Sequence, residues 1–158
     1  MKKVIFLCVM VLLISSLANA QSERTGTIIG TLGVGIASRT TVEQETLGSV
    51  IFDLNLISKE GFTLNFTDMT VFSPAGASRY LMPGAGYNYM RDKWNVGLSI
   101  LVAPIAGELL IAGKLTGGYY FLDNIGITGL VTYSRVAGLM GFDFSMLNAF
   151  AGASIRLF

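Results

Sequence analysis

There is no histidine in this sequence. Its absence removes the commonest general base, the ordinary pH switch near neutrality and the usual zinc ligand. Cysteine is almost as scarce: the single one, Cys8, lies in an apolar N-terminal run, so the remainder can form neither a disulfide nor a reactive thiol. Charge is thin as well. Asp, Glu, Lys and Arg make up 13% of the residues, against about 25% in a soluble domain. The eleven basic residues fall to nine without Lys2 and Lys3, against ten acidic ones, which leaves no electrostatic case for nucleic acid. No metal cluster, paired-carboxylate spacing or phosphate loop stands out. Gly30-x-x-Gly33-x-Gly35 is glycine-rich but sits in a strand pattern with no helix behind it. Most enzyme classes are excluded, and no cofactor is expected.

Long hydrophobic runs are also missing beyond the N-terminus. After residue 20 nothing reaches the roughly 18 apolar residues that a membrane helix needs. The nearest stretch, Val96 to Gly113, holds Pro104 and Glu108 near its middle. The start itself reads Met1-Lys2-Lys3, then an apolar run from Val4 to Ile14, then Ala18-Asn19-Ala20. A basic start, a short apolar segment and an Ala-x-Ala end describe a signal peptide over residues 1–20. Residues 21–158 then form one domain.

What is abundant is apolar surface without helices: 52% hydrophobic residues and 19 glycines, all of them after residue 20. In hydrocarbon only helices and closed β-barrels satisfy their own backbone. The pattern has period two. Val50, Phe52, Leu54 and Leu56 alternate with Asp53 and Asn55, and Trp94, Val96, Leu98, Ile100 and Val102 alternate with Asn95, Gly97 and Ser99. Similar alternation over the rest of the chain predicts eight strands, at about 27–37, 47–57, 62–72, 80–90, 94–103, 108–121, 125–135 and 142–158. The fold class is therefore all-β, an eight-stranded antiparallel up-and-down transmembrane β-barrel.

Tight polar turns at Ser58–Gly61, Arg91–Lys93 and Leu122–Asn124 alternate with connections at Ser38–Thr46, Ser73–Arg79, Pro104–Gly107 and Ala137–Gly141. The first set is expected on the periplasmic side and the second outside. Phe62, Tyr87, Tyr89, Trp94, Tyr119 and Phe121 cluster beside the tight turns and are expected to form an aromatic girdle. Phe72, Tyr80, Tyr133, Phe142 and Phe144 are candidates for the opposite rim.

With this architecture the chain resembles the small eight-stranded bacterial outer-membrane barrels, OmpX-like proteins and the membrane domain of OmpA-like proteins. The final segment, Phe150-Ala151-Gly152-Ala153-Ser154-Ile155-Arg156-Leu157-Phe158, is similar to that family's last strand. The resemblance implies a bacterial outer-membrane location and outer-membrane lipid as surroundings. It also implies an assembly signal in Gly152, Ile155, Leu157 and Phe158, read by the barrel assembly machinery. Lipid-remodelling barrels use serine and histidine, and this chain has no histidine.

Eight strands enclose an interior only wide enough for side chains. Alternation puts Asp53, Lys114 and Arg156 inside, with Glu108 toward the outer end, as a lumenal ion-pair network that fills rather than gates. Glycines 33, 35, 84, 86, 97, 118, 126 and 152 face inward as well. The expected function is a structural or surface-interaction barrel, with the partner at the surface unknown. The alternatives are a narrow conduit for small or apolar solutes and a soluble lipocalin-type ligand binder.

Overall fold

The structure, a computed structural model, describes residues 26–40, 44–105, 108–137 and 145–157. The segment expected to be a signal peptide, residues 1–20, lies outside them, as do Phe142, Phe144 and Phe158. Eight strands follow one another: β1 (Gly26–Thr40), β2 (Gln44–Ser58), β3 (Phe62–Ser73), β4 (Gly76–Arg91), β5 (Trp94–Ile105), β6 (Glu108–Tyr120), β7 (Ile125–Ala137) and β8 (Ser145–Leu157). Each pairs antiparallel with the next, and β8 pairs with β1 to close the barrel. A row of partners leaving β1 at Ile29 passes through Asn55, Asn65, Gly84, Leu101, Ala112, Ser134 and Met146. It returns to β1 at Arg39, a stagger of ten residues. That stagger tilts the strands and sets a lumen of side-chain width.

Alternation decides which face each residue takes. On β5, Leu98 and Ile100 are 65% and 64% exposed, while Asn95, Gly97 and Ser99 between and beside them are buried. The apolar sets face outward on all strands, as a wall immersed in hydrocarbon requires. A soluble lipocalin-type binder would have its greasy side inward and a polar exterior, so this wall overturns that alternative.

Two connections are shorter than their sequences suggest. Ser73–Arg79 is not a loop: β3 and β4 stay in register up to Ser73 and Gly76, leaving only Pro74 and Ala75 between them. Gly76 adopts φ 130°, open to glycine alone at little cost, and the Ser73 hydroxyl donates to its carbonyl at 2.9 Å. Likewise, β1 and β2 stay paired through Ser38↔Thr46 and Arg39↔Glu45, which opposes unlike charges across the ladder. Only residues 41–43 remain between those strands, and they lie outside the described residues. Tyr80 also departs from expectation. Even-numbered residues of β4 face the lumen, and Tyr80 packs there against the core instead of on the lipid rim.

The lumen is stratified. Toward the loop end it holds one apolar cluster, including Leu47, Ile51, Met69, Met82, Leu101, Leu110, Leu130, Met146 and Phe150. Toward the tight turns it holds Asn88, Asn95, Thr116, Thr128 and Ser154, with a small cluster of Ile29, Ile57 and Tyr120. All eight glycines expected inside face inward, where neighbours crowd them. A Cβ on Gly118 would meet Asn95 Oδ1 at 2.4 Å and Thr128 Oγ1 at 3.0 Å, whereas nothing lies within 4 Å of one on the outward Gly117.

Two results should follow. Gly118→Val forces overpacking of about 1–3 kcal/mol, whereas Gly117→Val is tolerated, as read by urea unfolding of the folded barrel in detergent. Leu98→Arg on the lipid face lowers stability in vesicles by about 2–4 kcal/mol, and Leu98→Tyr leaves it nearly unchanged.

Candidate functional site: the lumenal ion pair and the closed turn end

β2 carries Asp53 into the lumen and β6 carries Lys114 toward it from the far wall, both essentially without solvent exposure. Lys114 Nζ donates to Asp53 Oδ1 at 2.8 Å and Oδ2 at 3.0 Å, and to Asn55 Oδ1 at 3.0 Å. The carboxylate also accepts from Thr67 Oγ1 at 2.5 Å and Asn55 Nδ2 at 2.7 Å. Asn65 Nδ2 in turn donates to Asn55 Oδ1. β2 and β3 place these partners side by side, since Asp53 is opposite Thr67 and Asn55 opposite Asn65 in register. A buried ion costs several kcal/mol unless it is paired and its remaining hydrogen-bonding positions are filled. Here both conditions are met, and the pair links walls that share no ladder.

Arg156 does a different job. Rather than joining Asp53, its guanidinium spans the turn end. Nη1 donates to the Asp92 carbonyl at 2.7 Å, while Nη2 and Nε donate to the Asp123 carbonyl at 2.9 and 3.1 Å. Its backbone N–H donates to Asn124 O at 2.8 Å, and the guanidinium carbon lies 4.3 Å from the centre of the Tyr120 ring. Asp92 is the one described non-glycine residue with positive φ, 38°. One side chain of β8 thus ties down the β4–β5 and β6–β7 turns. The sequence reading grouped Arg156 with Asp53 because both face inward, but shared orientation says nothing of height along the axis. Glu108 opens β6 in register with Ile105, at the loop end; its side chain lies outside the described residues.

Phe62, Tyr87, Tyr89, Trp94, Tyr119 and Phe121 all face outward, each at least half exposed, and all lie at the turn end. Phe62 is opposite Tyr87, their rings meeting edge to face at 6.0 Å, and Trp94 is opposite Tyr119. On β8, Ile155 and Leu157 face outward while Gly152 faces in against the Leu32 carbonyl.

Sequence reasoning missed one charged pair altogether. Asp68 and Arg79 lie on the lipid side of β3 and β4, where Arg79 Nε donates to Asp68 Oδ1 at 2.8 Å and Oδ2 at 3.1 Å, and Nη2 also reaches Oδ2. The available signal was parity. Asp68 shares its face with Phe62, Leu64, Phe66 and Phe72.

Among the described residues no three His, Cys, Asp or Glu side chains gather to hold a metal. The Asp53 carboxylate has all its partners supplied by the protein. Fold and lumen define a small eight-stranded membrane β-barrel with a side-chain-filled interior.

No protein-family model matches the chain, and no curated protein matches it either. Solved structures do. The chain is similar to Ail, the attachment invasion locus protein of Yersinia pestis, solved with the heparin analogue sucrose octasulfate. The TM-score is 0.63 at 9% identity, over 84% of this chain and 99% of that one. A de novo designed transmembrane β-barrel matches with TM-score 0.58 at 11% identity, covering 84% and 97%. The outer membrane protein OprG of Pseudomonas aeruginosa matches with TM-score 0.51 at 9% identity, covering 84% and 96%. These likenesses establish a shared fold, that of small outer-membrane barrels.

A double-mutant comparison tests the ion pair. Lys114→Met leaves a carboxylate buried without its cation and costs about 3–5 kcal/mol, whereas Lys114→Met combined with Asp53→Asn recovers much of that loss. Urea unfolding in detergent micelles reads both.

Proposed function

We propose that this protein is a bacterial outer-membrane barrel acting as a structural and surface-interaction protein, exported with residues 1–20 removed, and that it conducts neither water nor ions. The observation that carries this reading is the lumen. An apolar cluster fills its loop-end half, the Asp53–Lys114 layer crosses below it, and Arg156 closes the turn end over Tyr120. An ion would have to displace all three. Outward apolar residues and the aromatic ring at the turn end suit outer-membrane lipid, with the tight turns toward the periplasm. Gly152, Ile155, Leu157 and Phe158 serve as the signal to the barrel assembly machinery. A surface role is supported by the attachment function in the name of Ail, a protein of like fold. Catalysis is no part of this reading.

Two measurements test it. In planar bilayers the purified barrel should give no stepwise conductance, and steady single-channel openings would refute the closed lumen. An epitope inserted between Pro74 and Ala75 should be bound by antibody on intact cells. Labelling only after the outer membrane is opened would reverse the orientation.

A further inference from the structure

The ladder between β4 and β5 stops halfway up the wall. Its register runs from Arg91↔Trp94 at the turn end to Gly84↔Leu101 and no further. Both strands continue: Gly76–Pro83 remain in register with β3, and Val102–Ile105 with β6. Every other neighbouring pair stays in register to within a residue of the loop end of at least one strand. Each of the two unzipped edges carries a proline, Pro83 immediately above the last pair and Pro104 opposite. Proline has no N–H to donate to a ladder. Within hydrocarbon, backbone groups without partners are expensive, so this seam is the weakest line in the wall.

Side chains hold it shut. Met82, Leu101 and Ala103 behind it are almost fully buried and belong to the apolar cluster, with Tyr80 packed against them. Below, the Asp53–Lys114 layer closes the route toward the turn end. The free half of β4 is not loose on its other side. Its ladder with β3 is complete, and the Asp68–Arg79 pair clamps the two strands on the lipid face. Gly84 marks the pivot, because a Cβ there would meet the Ile100 carbonyl at 2.2 Å, so the strands are pressed together at the last pair.

We propose that the wall parts between the loop-end halves of β4 and β5, and that this seam passes uncharged apolar molecules between the outer half of the lumen and the surrounding lipid. The chemistry selects the class. Met82, Pro83, Leu101, Val102 and Ala103, the side chains beside the last pair, are all apolar, so an ion or sugar would shed its water there with no polar side chain to replace it. The proposal goes beyond the structural reading, which stands if the seam proves inert.

The experiment compares amide exchange and solute passage. Backbone amides of Leu81 and Val102, which point across the seam toward Pro104 and Pro83, should exchange faster than those of Ala85 and Ile100 just below. Replacing both prolines, Pro83→Val with Pro104→Val, gives each edge its donor back, so those amides should become protected. Uptake of N-phenyl-1-naphthylamine, an uncharged apolar fluorophore, should be faster in cells producing the protein than in cells lacking it, and should fall several-fold with the double valine variant. Should that variant fail the gel-mobility test for a folded barrel, a disulfide across the seam does the same job. With Leu81→Cys and Pro104→Cys, uptake should fall under oxidation and return with reductant. The lock Ala85→Cys with Ile100→Cys, on the paired half, should change nothing. Uptake equal with and without the protein, or unaffected by a formed seam lock, would overturn the proposal, as would slow exchange at Leu81 and Val102.

Discussion

Closure is the constraint on which the rest depends. A sheet in hydrocarbon cannot leave an edge, since each unpaired N–H and C=O lacks water to fall back on. The β1–β8 ladder removes the two edges that seven consecutive hairpins would otherwise leave, and with the other seven registers it sets the stagger of ten residues. Once that number is set, so are the tilt and the lumen's width, and the interior must be filled by what alternation sends there. The inward glycines are part of that solution. A Cβ at them would strike a neighbouring strand's carbonyl, as at Gly35, Gly84, Gly86, Gly126 and Gly152, or an inward Asn or Thr side chain, as at Gly97 and Gly118.

The filling differs between the two ends, and the difference carries the functional reading. Near the tight turns the interior is polar and tied together by Arg156; toward the loops it is a dry apolar core. Between them the Asp53–Lys114 pair joins β2 to β6 across the lumen. An ion pair with a full complement of hydrogen bonds is no bargain in stability against a well-packed apolar replacement. Its physical consequence is positional, because it holds opposite walls at one distance and one height.

The loop-end half of the wall is where the barrel relaxes its own rules. The β4–β5 ladder ends early beside two prolines, and a charged pair sits on the lipid face of β3 and β4. Asp68 is six residues along β3 from Phe62, roughly 15 Å along the axis for a strand tilted as eight-stranded barrels require, and so falls within an apolar belt about 25 Å tall. Both features concern β4, the strand that also holds Tyr80 and Met82 in the core.

The sequence by itself determined the strand count, the antiparallel order and the face of nearly every residue, because a two-residue period is a local property that survives without tertiary contacts. It also identified Asp53, Lys114 and Arg156 as inward and the six aromatics as outward. Partners across the lumen were decided only by the tertiary structure. Which inward charge meets which depends on height along the axis, and height follows from the stagger, a sum over eight registers that no single segment encodes. So Lys114 went to Asp53, and Arg156 went to the carbonyls of two turns far away in sequence. The apolar loop-end lumen was hidden for a related reason. In Ile100–Ala103 and Leu109–Ala112 both faces are greasy, so period two fades where one face meets lipid and the other an apolar lumen. The premature end of the β4–β5 ladder belongs to neither strand's pattern alone, since it exists only where Pro83 and Pro104 are brought to facing edges.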